Sequence, residues 1–226
     1  MHQIERVKGV FNGPPANFPT GASTGAALED AALCVSWLIY PGNGVSLSSD
    51  PLLVRAGVDT LLYKEFWDHS NSFCTVFAGA ARVGVDPDLI LRQMKTVTQK
   101  NIQPNFLFNF GGGIENNAGI PDGLNEMLLQ SHEGFLRLFP CWPKDRPARF
   151  DGLRAYGAFL VSAELTGGDV QSIRISSEKG RPCTVLNPWA GAVQVLRNGM
   201  KHETVSGERI TLPTSPGESI ELLKHP

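Results

Sequence analysis

One carboxylate in this chain of 226 residues lies in a small polar loop that can be a plain connector or part of a sugar-binding cleft. Glu115 follows three consecutive glycines and precedes two asparagines in the stretch NFGGGIENNAG, residues 109–119. Glycines let the backbone approach a ligand closely, and asparagine side chains offer donors and acceptors to hydroxyl groups. A carboxylate in such a loop can serve acid–base chemistry on a sugar. Two structural alternatives stay open, because Glu115 can also cap the helix that follows or pair with Arg137.

Three further side chains are candidates for contacts with a ligand. Trp67 and His69 lie in a polar stretch between two predicted helices, where they can face a cleft or form a plain loop. His132 comes at the predicted end of a helix, where the helix dipole alone also favours histidine. In NFLFNF, residues 105–110, phenylalanines alternate as in a half-buried extended segment. Both core packing and stacking on a sugar are open for them.

Composition narrows the class of protein. With 42% hydrophobic and 19% charged residues, the chain is predicted to be globular rather than disordered. A net charge of −2 gives no reason to expect nucleic acid or an anionic membrane as a partner, and no apolar run approaches the ~20 residues of a membrane span. The four cysteines are far apart and no Cys/His spacing suggests a metal. We therefore expect buried free thiols and neither metal nor organic cofactor.

The first part of the chain is predicted to be helical. Asp50 with Pro51, and Asp86 with Pro87, are typical helix starts, and Gly84 suits a helix end. Apolar residues recur at helical spacing in five stretches: 26–40, 48–66, 71–84, 86–100 and 121–134. Helices this apolar require neighbours on more than one side, as in a toroid or a dimer.

The pattern changes after the proline-rich stretch 139–152. Short runs rich in β-branched residues then recur every 8–12 residues, separated by Gly-Gly, Asn-Gly and Pro-Gly turns. This pattern is typical of an antiparallel sandwich. The sequence therefore predicts an α+β protein of two domains, helical over residues 1–140 and β over residues 141–226.

Several motifs resemble glycoside hydrolase family 95, the inverting α-L-fucosidases and related α-L-galactosidases. The most specific are EMLLQSH, residues 126–132, followed by GLRA, residues 152–155. Upstream, IYPGNGVSLSSDPLLVRAG and HSNSFCTVFAGAARVG resemble the family's LYPG segment and the helix beyond it. The likeness covers roughly residues 35–180.

The resemblance implies an (α/α)6 toroid that holds the active site, followed by a small β-sandwich. The family's toroid has twelve helices, whereas five are predicted in this chain. We therefore expect a partial toroid, whose exposed faces are covered by an N-terminal polypeptide or by a second copy of the chain. Family members are usually secreted or periplasmic, yet the first residues, MHQIERVKGVFNG, show no signal-peptide pattern, so localisation stays undetermined.

The resemblance also implies roles for residues. Counting back from EMLLQSH, the family's essential aspartate falls on Glu115, and an asparagine of the same motif falls on Asn117. Glu115 is thus implied as a catalytic carboxylate that acts with neighbouring amides on the water-activating side of an inverting hydrolysis. Asn116, Asn117, Trp67, His69 and His132 are the expected substrate contacts, and an oligosaccharide or glycoside is the expected partner.

The family's general acid lies upstream of the matching region, and its histidine-rich HRHxSHL motif is ALCVSWL here, residues 32–38. The alternative prediction is therefore a catalytically incomplete fragment that serves as a carbohydrate-binding or interaction module.

Overall fold

A computed structural model describes residues 36–63, 66–68, 73–108 and 114–225 of the chain. Helices come first along these residues and antiparallel strands follow. The predicted α+β order, helical then β, is therefore confirmed at this level.

Four α-helices follow a helical turn at residues 36–39: α1 (Pro51–Tyr63), α2 (Phe73–Val83), α3 (Pro87–Asn101) and α4 (Gly119–Leu128). Short 3-10 turns lie at Phe66–Asp68 and Ile114–Asn117. The predicted helix starts are confirmed, because Asp50 accepts a hydrogen bond from the backbone N–H of Leu52, and Asp86 accepts one from that of Asp88. Gly84 follows α2 with a φ of 73°, which the absence of a side chain permits.

The last predicted helix is shorter than expected. We predicted residues 121–134, but α4 ends at Leu128, and Leu129 adopts an extended conformation. The next two residues form strand β1 (Leu129–Gln130), which pairs antiparallel with β2 (Arg137–Leu138). The β1–β2 pairing replaces the last helical turn, so His132 lies in a connection between strands rather than at a helix C-terminus.

The remaining strands form two antiparallel sheets. The larger has six strands in the order β3 (Ala148–Ala155), β4 (Phe159–Thr166), β5 (Asp169–Ser177), β10 (Glu218–Lys224), β7 (Val193–Arg197) and β8 (Met200–Val205). The smaller pairs β6 (Cys183–Leu186) with β9 (Arg209–Leu212). Leu136 forms a parallel bridge to Val185, which joins the segment after α4 to the smaller sheet.

Two hydrophobic clusters form the core. The β cluster takes alternate residues of both sheets, among them Val161, Ile175 and Ile220 of the larger sheet and Val185 of the smaller. The helical cluster is built around Phe77, Ile90 and Met127. Trp142 packs against both clusters and the segment 129–138 packs into the β cluster. The boundary placed at residue 140 stays a prediction.

The exposed fraction of the phenylalanines distinguishes the two alternatives that the sequence leaves open for NFLFNF, residues 105–110. Phe106 has a φ of 63° and is 80% exposed, so core packing is wrong for this residue. Phe108 packs against the helical cluster as expected, and Phe110 lies outside the described residues. Cys141 and Cys183 are buried free thiols, and burial raises the pKa of each to about 12. Among the described residues, no helix is long and apolar enough to cross a membrane.

Candidate functional site

The predicted carboxylate stands at the entrance to α4. Glu115 lies in the 3-10 turn Ile114–Asn117, and its side chain is exposed. Its carbonyl accepts a hydrogen bond from the N–H of Ala118, the N-cap residue directly before α4. Ala118, the residue directly before α4, makes no side-chain cap hydrogen bond, and capping of α4 by Glu115 stays a prediction. Arg137 instead pairs with Glu133 at 2.9 Å and donates to Ser48.

The two asparagines beside Glu115 differ in their surroundings. Asn117 accepts a hydrogen bond from the backbone N–H of Phe108 at 3.0 Å, which ties the turn to the segment after α3. Asn116 is 1% exposed, and neither its amide oxygen nor its amide nitrogen has a partner within the described part of the chain. A buried amide without partners costs free energy that a bound polar group can recover.

Trp67 and His69, the two predicted contacts upstream, are not shown to contact the Glu115 turn. Trp67 is 3% exposed, and its ring packs against Phe77 with centroids 5.4 Å apart. This placement favours a packing role for Trp67. His69 lies outside the described residues. For Trp67, His69, Glu115 and the asparagines, substrate contact stays a prediction.

A second polar region lies along α4, away from Glu115. Asp122, Asn125 and Glu126 share one side of the helix by their spacing of three and four residues. They line an open cleft of about 600 Å³, within the range of small-molecule sites. Tyr40 and Arg82 lie on the same side, and the turn Tyr156–Gly157–Ala158 between β3 and β4 forms the facing wall.

Arg82 holds the helical wall of this cleft in place. Its buried guanidinium lies 2.8 Å from Glu126 and donates to the carbonyls of Ile39 and Gly42. It also lies over the Tyr40 ring, 4.6 Å from the centroid. The Tyr40 hydroxyl donates to Asp122 at 3.3 Å, and burial, with the nearby carboxylates, raises the pKa of Tyr40 to about 12. Tyr40 therefore stays a neutral hydrogen-bond donor.

His132 lines the cleft beside Glu126. Its side chain is 2% exposed, and its Nδ1 is 3.9 Å from Glu126 Oε2, too far for a direct hydrogen bond. Neither ring nitrogen nor Glu126 Oε2 has a partner within the described residues. Burial, followed by the nearby Arg82, lowers the pKa of His132 to about 4, so the imidazole is neutral at pH 7.

Hydrogen bonds and an ion pair hold the facing wall. The N–H of Tyr156 donates to the Ser131 hydroxyl at 3.0 Å, and the carbonyl of Ala158 accepts from the N–H of Glu178. Arg154 and Glu178 pair at 2.6 Å. Gly157 has a φ of 92°, and a side chain there would lie 2.4 Å from the Phe159 ring, so glycine is required. Contacts within the chain thus hold both walls of the cleft.

Sequence reasoning missed Asp122, Glu126 and Arg82 as members of a polar site. Glu126 stood inside the EMLLQSH motif, and its spacing from Asp122 was a detectable signal. Arg82 carried no such signal, because its partners lie up to 44 positions away along the chain. No group of three or more His, Cys, Asp or Glu side chains suited to a metal is found among residues 36–63, 66–68, 73–108 and 114–225.

Comparison with known proteins supports the resemblance. Residues 130–222 match the model of glycoside hydrolase family 95, C-terminal domain. The matched region begins in β1, directly after α4, and extends to β10, one of the two central strands of the larger sheet. No curated protein matches the chain. Residues 130–222 are therefore glycoside hydrolase-like, and the resemblance to the C-terminal part of family 95 is confirmed.

Proposed function

We propose that this chain is part of a family 95-type glycoside hydrolase that cleaves α-L-fucosyl or α-L-galactosyl linkages with inversion. The observation that supports this most is the family 95 match over residues 130–222, which is continuous in sequence with α4 and the Glu115 turn. In the proposed arrangement the helices belong to an (α/α)6 toroid, and the Glu115 turn forms one wall of its cleft.

The proposed chemistry needs two groups on opposite faces of the sugar. One acid protonates the departing glycosidic oxygen while water, activated on the other face, attacks the anomeric carbon and releases a proton. Glu115 is proposed for the water-activating side, with the buried amide of Asn116 and the Asn117 side chain beside it. The resemblance places the acid upstream, so the described residues supply one side of the reaction.

The test is hydrolysis of 4-nitrophenyl α-L-fucoside and α-L-galactoside by wild type and by Glu115→Gln. We expect Glu115→Gln to lower kcat/KM by at least about 100-fold, because in this proposal only the Glu115 side chain places a carboxylate beside the attacking water. Glu208→Gln, at an exposed turn before β9, is the matched control and should retain the wild-type rate. Proton NMR of the first product should show the β anomer. Equal rates for wild type and Glu115→Gln would exclude the role of Glu115.

Exposed apolar side chains favour one alternative, a carbohydrate-binding or interaction module without turnover. Ile114 is 83% exposed, Phe106 is 80% exposed, and Leu52 of α1 is exposed as well. Where such side chains form a contiguous patch, they mark contacts with another polypeptide. Light scattering tests this alternative: a mass above the 24.5 kDa of one chain, together with sugar binding and no hydrolysis, would support it.

A further inference from the structure

We propose that the cleft between α4 and the β3–β4 turn is a second binding site, separate from Glu115, for a neutral polyhydroxylated ligand such as a short glycan. This site does not depend on hydrolysis by the chain. Glu115 lies before the first residue of α4, whereas the proposed site uses the side of the helix from Asp122 onwards and the segment after it.

The side chains that line the cleft include buried polar atoms without partners among the described residues. His132 Nδ1 and Nε2 and Glu126 Oε2 have no hydrogen-bond partner among the described residues, and their side chains line the cleft. A separation of 3.9 Å between His132 Nδ1 and Glu126 Oε2 fits one bridging oxygen that bonds to both. A ligand hydroxyl can both donate and accept, which is what a carboxylate beside a neutral imidazole requires.

The charged side chains around the cleft favour a neutral ligand. Asp122 and Glu126 disfavour an anionic ligand at the helical wall. Glu126 is already paired with buried Arg82, and Arg154 stands at the opposite wall. A cationic ligand would therefore gain little electrostatic stabilisation in the cleft. Neutral hydroxyl groups can bond to carboxylates without this penalty.

An exposed aromatic ring, that of Tyr156, also stands at the cleft. Tyr156 is 67% exposed at the cleft, although its N–H is fixed by Ser131. The fixed backbone presents the ring at the cleft, where it can pack against the apolar face of a sugar. Asn125, exposed on the helical wall, offers a further donor and acceptor.

The experiment uses the whole chain labelled with ¹⁵N-histidine and titrated with L-fucose, D-galactose and lactose. We expect saturable shifts of the His132 ring nitrogens, assigned by their absence in His132→Gln. Tyr156→Ala should weaken binding by about 3- to 10-fold through loss of the ring contact. Asn125→Ala, another change at an exposed side chain, should weaken binding by about 2- to 10-fold.

Glu208→Gln is the matched control and should bind as wild type. The proposal is overturned if none of the three sugars shifts the His132 nitrogens, or if Tyr156→Ala and Asn125→Ala both bind with wild-type affinity. Sugar binding that is lost in Glu115→Gln but kept in Tyr156→Ala would assign the ligand to the Glu115 turn and likewise overturn it. Because binding is the readout, absence of hydrolysis would count against the proposed function alone.

Discussion

At the scale of single residues, the most informative side chain is His132. Its imidazole is buried beside Arg82 and has no hydrogen-bond partner within the described residues, and its pKa falls from 6.5 to about 4. Between these two values the unfolded chain binds more protons than the folded chain. The free energy of unfolding therefore decreases as pH falls from 6.5 to 4, by up to about 3 kcal/mol.

Urea denaturation of wild type and His132→Gln at pH 7, 6, 5 and 4.5 measures this effect. We expect the variant to lose less stability than wild type over this range, whatever its stability at pH 7. The pKa values of Glu133 and Glu218 are also lowered in the folded chain, but both proteins retain these carboxylates, so their effect cancels in the comparison. Parallel stability profiles for the two proteins would show that His132 does not titrate as proposed.

At the scale of elements, the contact between α2 and α4 fixes the helical wall of the cleft. Gly123 of α4 faces α2, and an added Cβ would lie 2.5 Å from Phe77 Cβ and 2.6 Å from Met94 Cε. Helix propensity alone favours alanine over glycine, but the Phe77 contact is close to the backbone and cannot move away easily. We expect Gly123→Ala to lower the free energy of unfolding by about 1–3 kcal/mol.

Gly79, in the middle of α2, is the matched control for this substitution. A Cβ there would meet Ile39 Cγ2 at 3.8 Å and Tyr40 Cβ at 3.9 Å, which are ordinary contacts. Gly79→Ala should therefore raise the free energy of unfolding by about 0.5–1 kcal/mol. Chemical denaturation of both variants checks the pair, and equal effects would contradict the close packing of α4 on α2.

At the scale of the whole molecule, the two hydrophobic clusters are both buried, but the regions around them differ in how much apolar surface they leave exposed. The β cluster is enclosed by two sheets, whereas apolar side chains of the helical region, such as Leu52 and Ile114, stay exposed. Cys141 belongs to the helical cluster, and its thiol donates to the Val85 carbonyl at 3.2 Å. Cys183 belongs to the β cluster. Each cluster thus contains a buried thiol that reports its opening.

Pulsed thiol labelling across a urea series, read by mass spectrometry of peptides, follows the two thiols separately. We expect Cys141 to become reactive at a lower urea concentration than Cys183, because the helical region leaves more apolar surface exposed and therefore buries less of it to resist opening. In native buffer both should react slowly, since burial raises their pKa values. Coincident midpoints would show that the clusters unfold as one cooperative unit, held by Trp142 and the Arg146–Asp88 pair.

The sequence by itself determined the order of elements, the helix starts at Asp50 and Asp86, the alternation within the strands and the family 95 resemblance. These features depend on neighbours within a few residues, where periodicity and capping act. Tertiary structure alone decided that α4 ends at Leu128, because β1 gains its partner in β2 across the chain reversal. It also buried Trp67 against Phe77 and joined Arg82 to Glu126, 44 positions away. The cleft needed both the helical region and the β3–β4 turn, and contacts between parts so distant in sequence leave no local pattern to detect.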